Sequence, residues 1–130
     1  MKRISFNLRF VNKAGNDLIP GKIHTIRQNY DFWKRFEGKE VALFTWEGKP
    51  YHSNQKVFCI KRIISVQSVI YHACSFWEDR NIEALFYMIP TKKIATNDGF
   101  TDMNKFEDWF RDGKYKPGKM AVLHFTDFKY

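Results

Sequence analysis

The chain has 130 residues, 44% of them hydrophobic and 18% aromatic, with 22 Lys and Arg against 14 Asp and Glu for a net charge of +8. That length closes one core without disulfide or metal staples, and a composition so rich in apolar and ring side chains excludes an intrinsically disordered chain. The basic balance favours partners that carry phosphate, no stretch is long and apolar enough to cross a bilayer, and Met1 to Asn7 alternates where a secretory signal needs a continuous apolar run, so a cytoplasmic protein is expected.

Residues 3 to 10 set Ile4, Phe6, Leu8 and Phe10 against Arg3, Ser5, Asn7 and Arg9, the alternation of a half-buried strand. Ala14 to Asp17 reads as a loop, Pro20-Gly21 as a turn and Lys22 to Arg27 as a second strand. Asp31 is placed to cap a short helix over Phe32 to Phe36 that Gly38 closes. Val41 to Trp46, and Val57 to Ile64 apart from Lys61 and Arg62, are apolar on both faces, the pattern of barrel strands with a neighbour on each side. Glu47-Gly48-Lys49-Pro50 supplies the turn of a long hairpin between them. Cys59 and Cys74 lack C-x-x-C or zinc-ligand spacing and read as two buried thiols.

Over residues 81 to 89 the spacing of Ile82, Leu85, Phe86 and Ile89 favours a short helix followed by an extended piece. Pro90-Thr91 opens another short helix through Ala95 that ends near Asn97-Asp98-Gly99. Thr101 or Asp102 then caps a helix with Met103, Phe106 and Phe110 on one face. After Gly113 and Pro117-Gly118 the last strand runs from Met120 to Phe128. Strands with short helices between them, and no repeats or linkers, predict an α+β fold: a small β-barrel with short flanking helices, in one domain over residues 1 to 130.

Gly21-Lys22-Ile23-His24-Thr25-Ile26-Arg27, then Asn97-Asp98-Gly99-Phe100 ahead of the helix over Phe106 to Phe110, then the closing strand at His124-Phe125, stand in the order of a known pattern. They resemble the ASCH family of PUA-like domains, with its G-K-x-x-T-x-R strand, acidic-Gly-Phe turn and closing strand. The resemblance spans most of the chain and is least supported over residues 46 to 56 and 75 to 90. It implies a PUA-like barrel and an RNA or nucleoside ligand. One branch hydrolyses N(4)-acetylcytidine with a Lys, a Thr and a Glu, which on this sequence implies Lys22, Thr25 and Asp98 as the catalytic set, followed by Arg27. The chain departs from that branch: Asp98 is one methylene shorter than Glu, the connection onward to the helix is longer by a residue, and the middle of the chain is longer.

In a regular strand Thr25 and Arg27 share a face that Lys22 does not, so Lys22 joins them only if the chain bends at Pro20-Gly21. A pocket so built offers a hydroxyl, two cations and a carboxylate. For amide hydrolysis an activated Thr25 or Lys22 attacks the acyl carbon, Asp98 moves protons and a cation steadies the oxyanion. For binding alone, bases stack on rings while Lys22 and Arg27 neutralise phosphate. Trp33, Trp46, Tyr51 and Phe100 are the candidate rings, with Trp33 as the preferred pocket wall. His24, His52, His72 and His124 have no ligand spacing, so neither a metal nor a cofactor is expected, and His24 and His124 read as core histidines. A third reading, a protein-interaction domain, has no positive feature in its favour.

Overall fold

The computed structural model describes residues 1–80 and 87–130. In chain order its elements are β1 (Arg3–Ser5), β2 (His24–Gln28), α1 (Tyr30–Lys34), β3 (Glu40–Trp46), β4 (Gln55–Arg62), β5 (Ser65–His72), β6 (Ser75–Glu78), β7 (Met88–Ile89), α2 (Thr91–Asn97), α3 (Met103–Asp112) and β8 (Gly118–His124). The fold is α+β, with one sheet in the order β1-β3-β4 and a second in the order β2-β8-β5-β6-β7. Among the described residues the ladders do not close into one ring. The sheets nevertheless join at a corner: Ile63 N–H still bonds to Lys39 on the β3 side, while Ile64 N–H bonds to the carbonyl of His124 in β8.

The two best-buried strands, β8 and β3, each have a neighbour on either side. Met120, Ala121, Val122, Leu123 and His124 of β8 are all sealed from solvent between β2 and β5. β3 is buried from Val41 to Thr45 and pairs in parallel with β1 and antiparallel with β4. β4 itself departs from expectation: it bonds only to β3 among the described residues and leaves Val57 and Ile60 40% and 53% exposed. An apolar run therefore does not distinguish a central strand from an edge.

The alternation over residues 3 to 10 ends early. Asn7 accepts the Arg9 N–H through its side chain, a local bond that competes with the ladder, and the chain turns into a 3-10 segment over Leu8–Phe10. Leu8 is turned out to solvent while Phe10 enters the core. At α1 the cap is Asn29, not Asp31: Asn29 adopts the left-handed conformation its short amide tolerates and accepts the Phe32 N–H, so Asp31 falls in the first turn, where its charge favours the helix dipole. The helix on Pro90-Thr91 continues past Ala95 to Asn97, and the cap of α3 is Asp102, with Phe106 and Phe110 buried but Met103 half exposed. β8 stops at His124, short of Phe128.

Of the ambiguous stretch over residues 81 to 89, Met88–Ile89 is extended and pairs with β6, while the expected helix around Ile82, Leu85 and Phe86 lies outside the described residues. Cys59 is half-buried and Cys74 exposed, so neither is the buried thiol expected. Cys74 sits with Ala73 in the β5–β6 turn, both at positive φ. No helix among the described residues is long and apolar enough to cross a membrane.

Candidate functional site

The K-x-x-T-x-R segment is bent at its start. Gly21 takes φ +91°, a conformation other residues avoid, and the regular strand starts only at His24. Lys22 thus lies ahead of the regular strand and lines one cleft with Thr25 and Arg27. The second half of the site is the end of α2. Gly99 at φ +92° donates to the Thr96 carbonyl and Phe100 N–H to the Ala95 carbonyl, the paired bonds of a Schellman cap with Phe100 as its apolar anchor. Ile23 N–H donates to the Asn97 carbonyl and ties that cap to the lysine segment.

Lys22 and Asp98 meet in this junction. The ammonium donates to Asp98 Oδ1 at 2.9 Å and to the Asp98 carbonyl at 2.8 Å, with its remaining side against the face of Phe10, 4.4 Å from the ring centre. The two side chains are only 2% and 6% exposed. Burial pushes the Lys22 pKa down, and Asp98 opposes it. Burial also pushes Asp98 up, but Lys22 and His24 together outweigh it and hold the carboxyl below its ordinary value. The 2.9 Å contact and the second bond to the Asp98 carbonyl are those of an ammonium held by a carboxylate, and a lysine engaged in this way offers no free lone pair for nucleophilic attack.

Gly99 makes this close approach feasible. A Cβ there would stand 3.1 Å from the Lys22 Cβ and Cδ. Gly99→Ala is expected to destabilise the fold by more than about 1 kcal/mol, since it adds that contact to an unfavourable positive φ. Urea denaturation checks this, and an unchanged midpoint would mean the lysine stem is not confined there.

Lys22, Thr25, Arg27 and Asp98 all line one cleft of about 300 Å³, together with Ser5, Asn7, Trp46, Tyr51, Trp109 and Tyr115. Arg27 spans the two sheets: Nε donates to Thr25 Oγ1 at 3.2 Å, and a terminal nitrogen to the Ser5 carbonyl at 2.7 Å. Because Thr25 Oγ1 accepts from a guanidinium, its own proton is available to a ligand. Trp46 and Tyr51 stand at the cleft in mutual contact, ring centres 5.2 Å apart, and Tyr51 is 86% exposed.

No family model, curated protein or solved structure matches the chain. The functional reading therefore rests on the residues and their geometry.

Two of the expected ligand residues lie elsewhere. Phe100 is buried, edge-on to Phe10 and Phe106, and serves the helix cap rather than a ligand. Trp33 packs on Phe32 and Phe36 and lines an adjoining groove beyond Arg27, not the cleft itself.

His24 was expected only to pack, yet its Nδ1 lies 3.5 Å from Asp98 Oδ1. Its Nε2 lies 2.5 Å from the Tyr130 hydroxyl, which accepts from Asn97 Nδ2. With Asn97 donating to it, the Tyr130 hydroxyl donates to Nε2, which leaves the imidazole proton on Nδ1, facing the carboxylate at 3.5 Å but without a hydrogen bond. Burial lowers the His24 pKa, so the ring is neutral. Lys22 bonds Asp98 directly, while His24 only stands beside it at 3.5 Å. Its place beside Lys22 was a weak signal of this, and Tyr130 gave none. His124 is buried as expected of a core histidine but only half satisfied: Nε2 lies 2.9 Å from Gln67 Oε1, while Nδ1 has no partner among the described residues. No group of His, Cys, Asp and Glu among the described residues is arranged to hold a metal ion.

Proposed function

We propose that this chain is an ASCH-type, PUA-like module of the cytoplasm that binds a nucleoside, free or within RNA, in the Lys22–Arg27 cleft. The observation that carries the reading is the convergence of Lys22, Thr25, Arg27 and Asp98 on one cleft whose mouth holds Trp46 and Tyr51. A cleft of about 300 Å³ is at the small end of ligand pockets, the scale of one nucleoside. Thr25 and Arg27 offer donors to base or ribose oxygens, and the two rings offer a stacking surface. The β4–β5 corner and the Arg27 bridge to Ser5, which draw the two sheets together, support the likeness to a PUA-like barrel.

Titrating cytidine and N(4)-acetylcytidine while following tryptophan fluorescence tests the reading. Saturable binding is expected, weakened about tenfold or more by Trp46→Ala or Tyr51→Ala, because base–aromatic stacking contributes about 1–3 kcal/mol. Absence of binding by nucleosides and by a short RNA alike would overturn it.

A second reading, an amidohydrolase that converts an N-acylated nucleoside and water into the nucleoside and a carboxylic acid, is supported by Lys22, Thr25 and Asp98 sharing the cleft. The Lys22–Asp98 pair weighs against it, since both groups are already committed to each other. Release of cytidine from N(4)-acetylcytidine, lost in Asp98→Asn, would put it first.

A further inference from the structure

We propose that the groove on the far side of Arg27 is a second subsite, which takes the phosphodiester and flanking nucleotide of an RNA strand whose neighbouring base sits in the cleft. The inference rests on the nucleoside-binding reading and extends it from a single nucleoside to a strand.

The groove, about 460 Å³, shares Ser5, Arg27, Trp46 and Tyr51 with the cleft, so the two are continuous over the Trp46–Tyr51 ridge. Their charge differs. In the cleft the Lys22 ammonium is neutralised by Asp98. The groove is lined by Lys2, Arg3 and Arg27, and by no carboxylate. Arg27 spends Nε and Nη2 on Thr25 and Ser5, and its Nη1 makes no hydrogen bond among the described residues. Arg3 gives one Nη1 bond to the neutral amide of Gln55, and Lys2 rides over the rings of Phe32 and Trp33 at 5.0 and 5.6 Å. A free nucleoside carries no phosphate and leaves this charge unanswered. A phosphodiester meets it, and Trp33 and Trp46 add ring surface for the attached base.

The ridge between the subsites is itself built under strain. Tyr51 holds φ +64°, uncommon for an aromatic residue, and so presents its ring outward against Trp46. Alternating cation and ring along a continuous channel suits a strand that steps over the ridge.

Cytidine and a mixed-sequence RNA hexamer are titrated against the protein and against the Lys2→Ala, Arg3→Ala double variant, whose unchanged melting is verified first. The hexamer is expected to bind at least about tenfold more tightly than cytidine, and the double variant to remove that gain and flatten the salt dependence by roughly 0.7 per cation lost, with cytidine affinity unchanged. A hexamer no tighter than cytidine overturns the second subsite and leaves the cleft reading standing. Equal weakening of both ligands in the variant overturns it too, as does displacement of the hexamer by polyglutamate as readily as by unlabelled RNA, which would mark an acidic-peptide surface. Failure of both cytidine and hexamer to bind overturns the cleft reading and the subsite together.

Discussion

Asp98→Asn is expected to lower the unfolding free energy by about 3–5 kcal/mol, a large share of what a small domain has. The substitution leaves the Lys22 ammonium sealed in the protein between neutral oxygens and the ring of Phe10. Lys22→Met is expected to cost less, because the carboxylate it orphans still has His24 beside it and can take up a proton. Combining Lys22→Met with Asp98→Asn removes both charges from the junction and is expected to recover much of the loss, since a buried pair replaced by matched neutral groups is often close to neutral in stability. Urea denaturation of the three variants measures the coupling between the two sites. Single-variant costs below about 1 kcal/mol would mean that water reaches the pair and that its charges are solvated. The folded double variant also separates the uses of the cleft: it should still stack a base on Trp46 and Tyr51 but could perform no Lys22-dependent chemistry.

The second large effect is on acidification. His124 is sealed in the core, and burial, reinforced by His24 and Lys129, takes its pKa down to about 4. His24 is shifted in the same direction, by burial first. Unfolded, each ring titrates near its ordinary 6.5. Between those values the unfolded chain binds protons that the folded chain refuses, so stability is complete above about pH 6.5 and falls as the pH drops toward 4. For His124 the full loss is about 3 kcal/mol. Asp98, whose folded pKa is depressed, keeps its contribution through this window and loses it only at lower pH. Unfolding free energies measured from pH 7 to 4 should show this decline, and His124→Gln should flatten it. A flat profile in the parent protein would mean the histidines are protonated where they lie, against the neutral rings described above.

Much of the site was legible in one dimension. Lys22, Thr25, Arg27 and Asp98 were identifiable as a group through the resemblance to the ASCH pattern, and all four line the cleft. Pro20-Gly21 was identifiable as the bend that frees Lys22, and Gly21 and Gly99 hold the positive φ that such bends need. The strands β3 and β8 and the helices α2 and α3 announced themselves through apolar runs, caps and glycines, because these are local signals carried by the residues that form the element.

What stayed hidden depends on partners distant in sequence. β5 and β6 gave no hairpin signal because their turn places Ala73 and Cys74, not Asn-Gly, at positive φ. Phe100 and Trp33 are rings like Trp46 and Tyr51, and only packing decides that the first enters the core, the second an adjoining groove and the others the cleft. The link from Asp98 through His24 to Tyr130 joins three parts of the chain that no spacing relates. Composition, periodicity and backbone chemistry act locally, and so the α+β class, the net positive charge and the identity of the charged groups could be read in one dimension. That Lys22 is neutralised where it lies while Lys2, Arg3 and Arg27 line a groove without a carboxylate follows from packing, because the free energy of a charge depends on what burial and distant neighbours place around it.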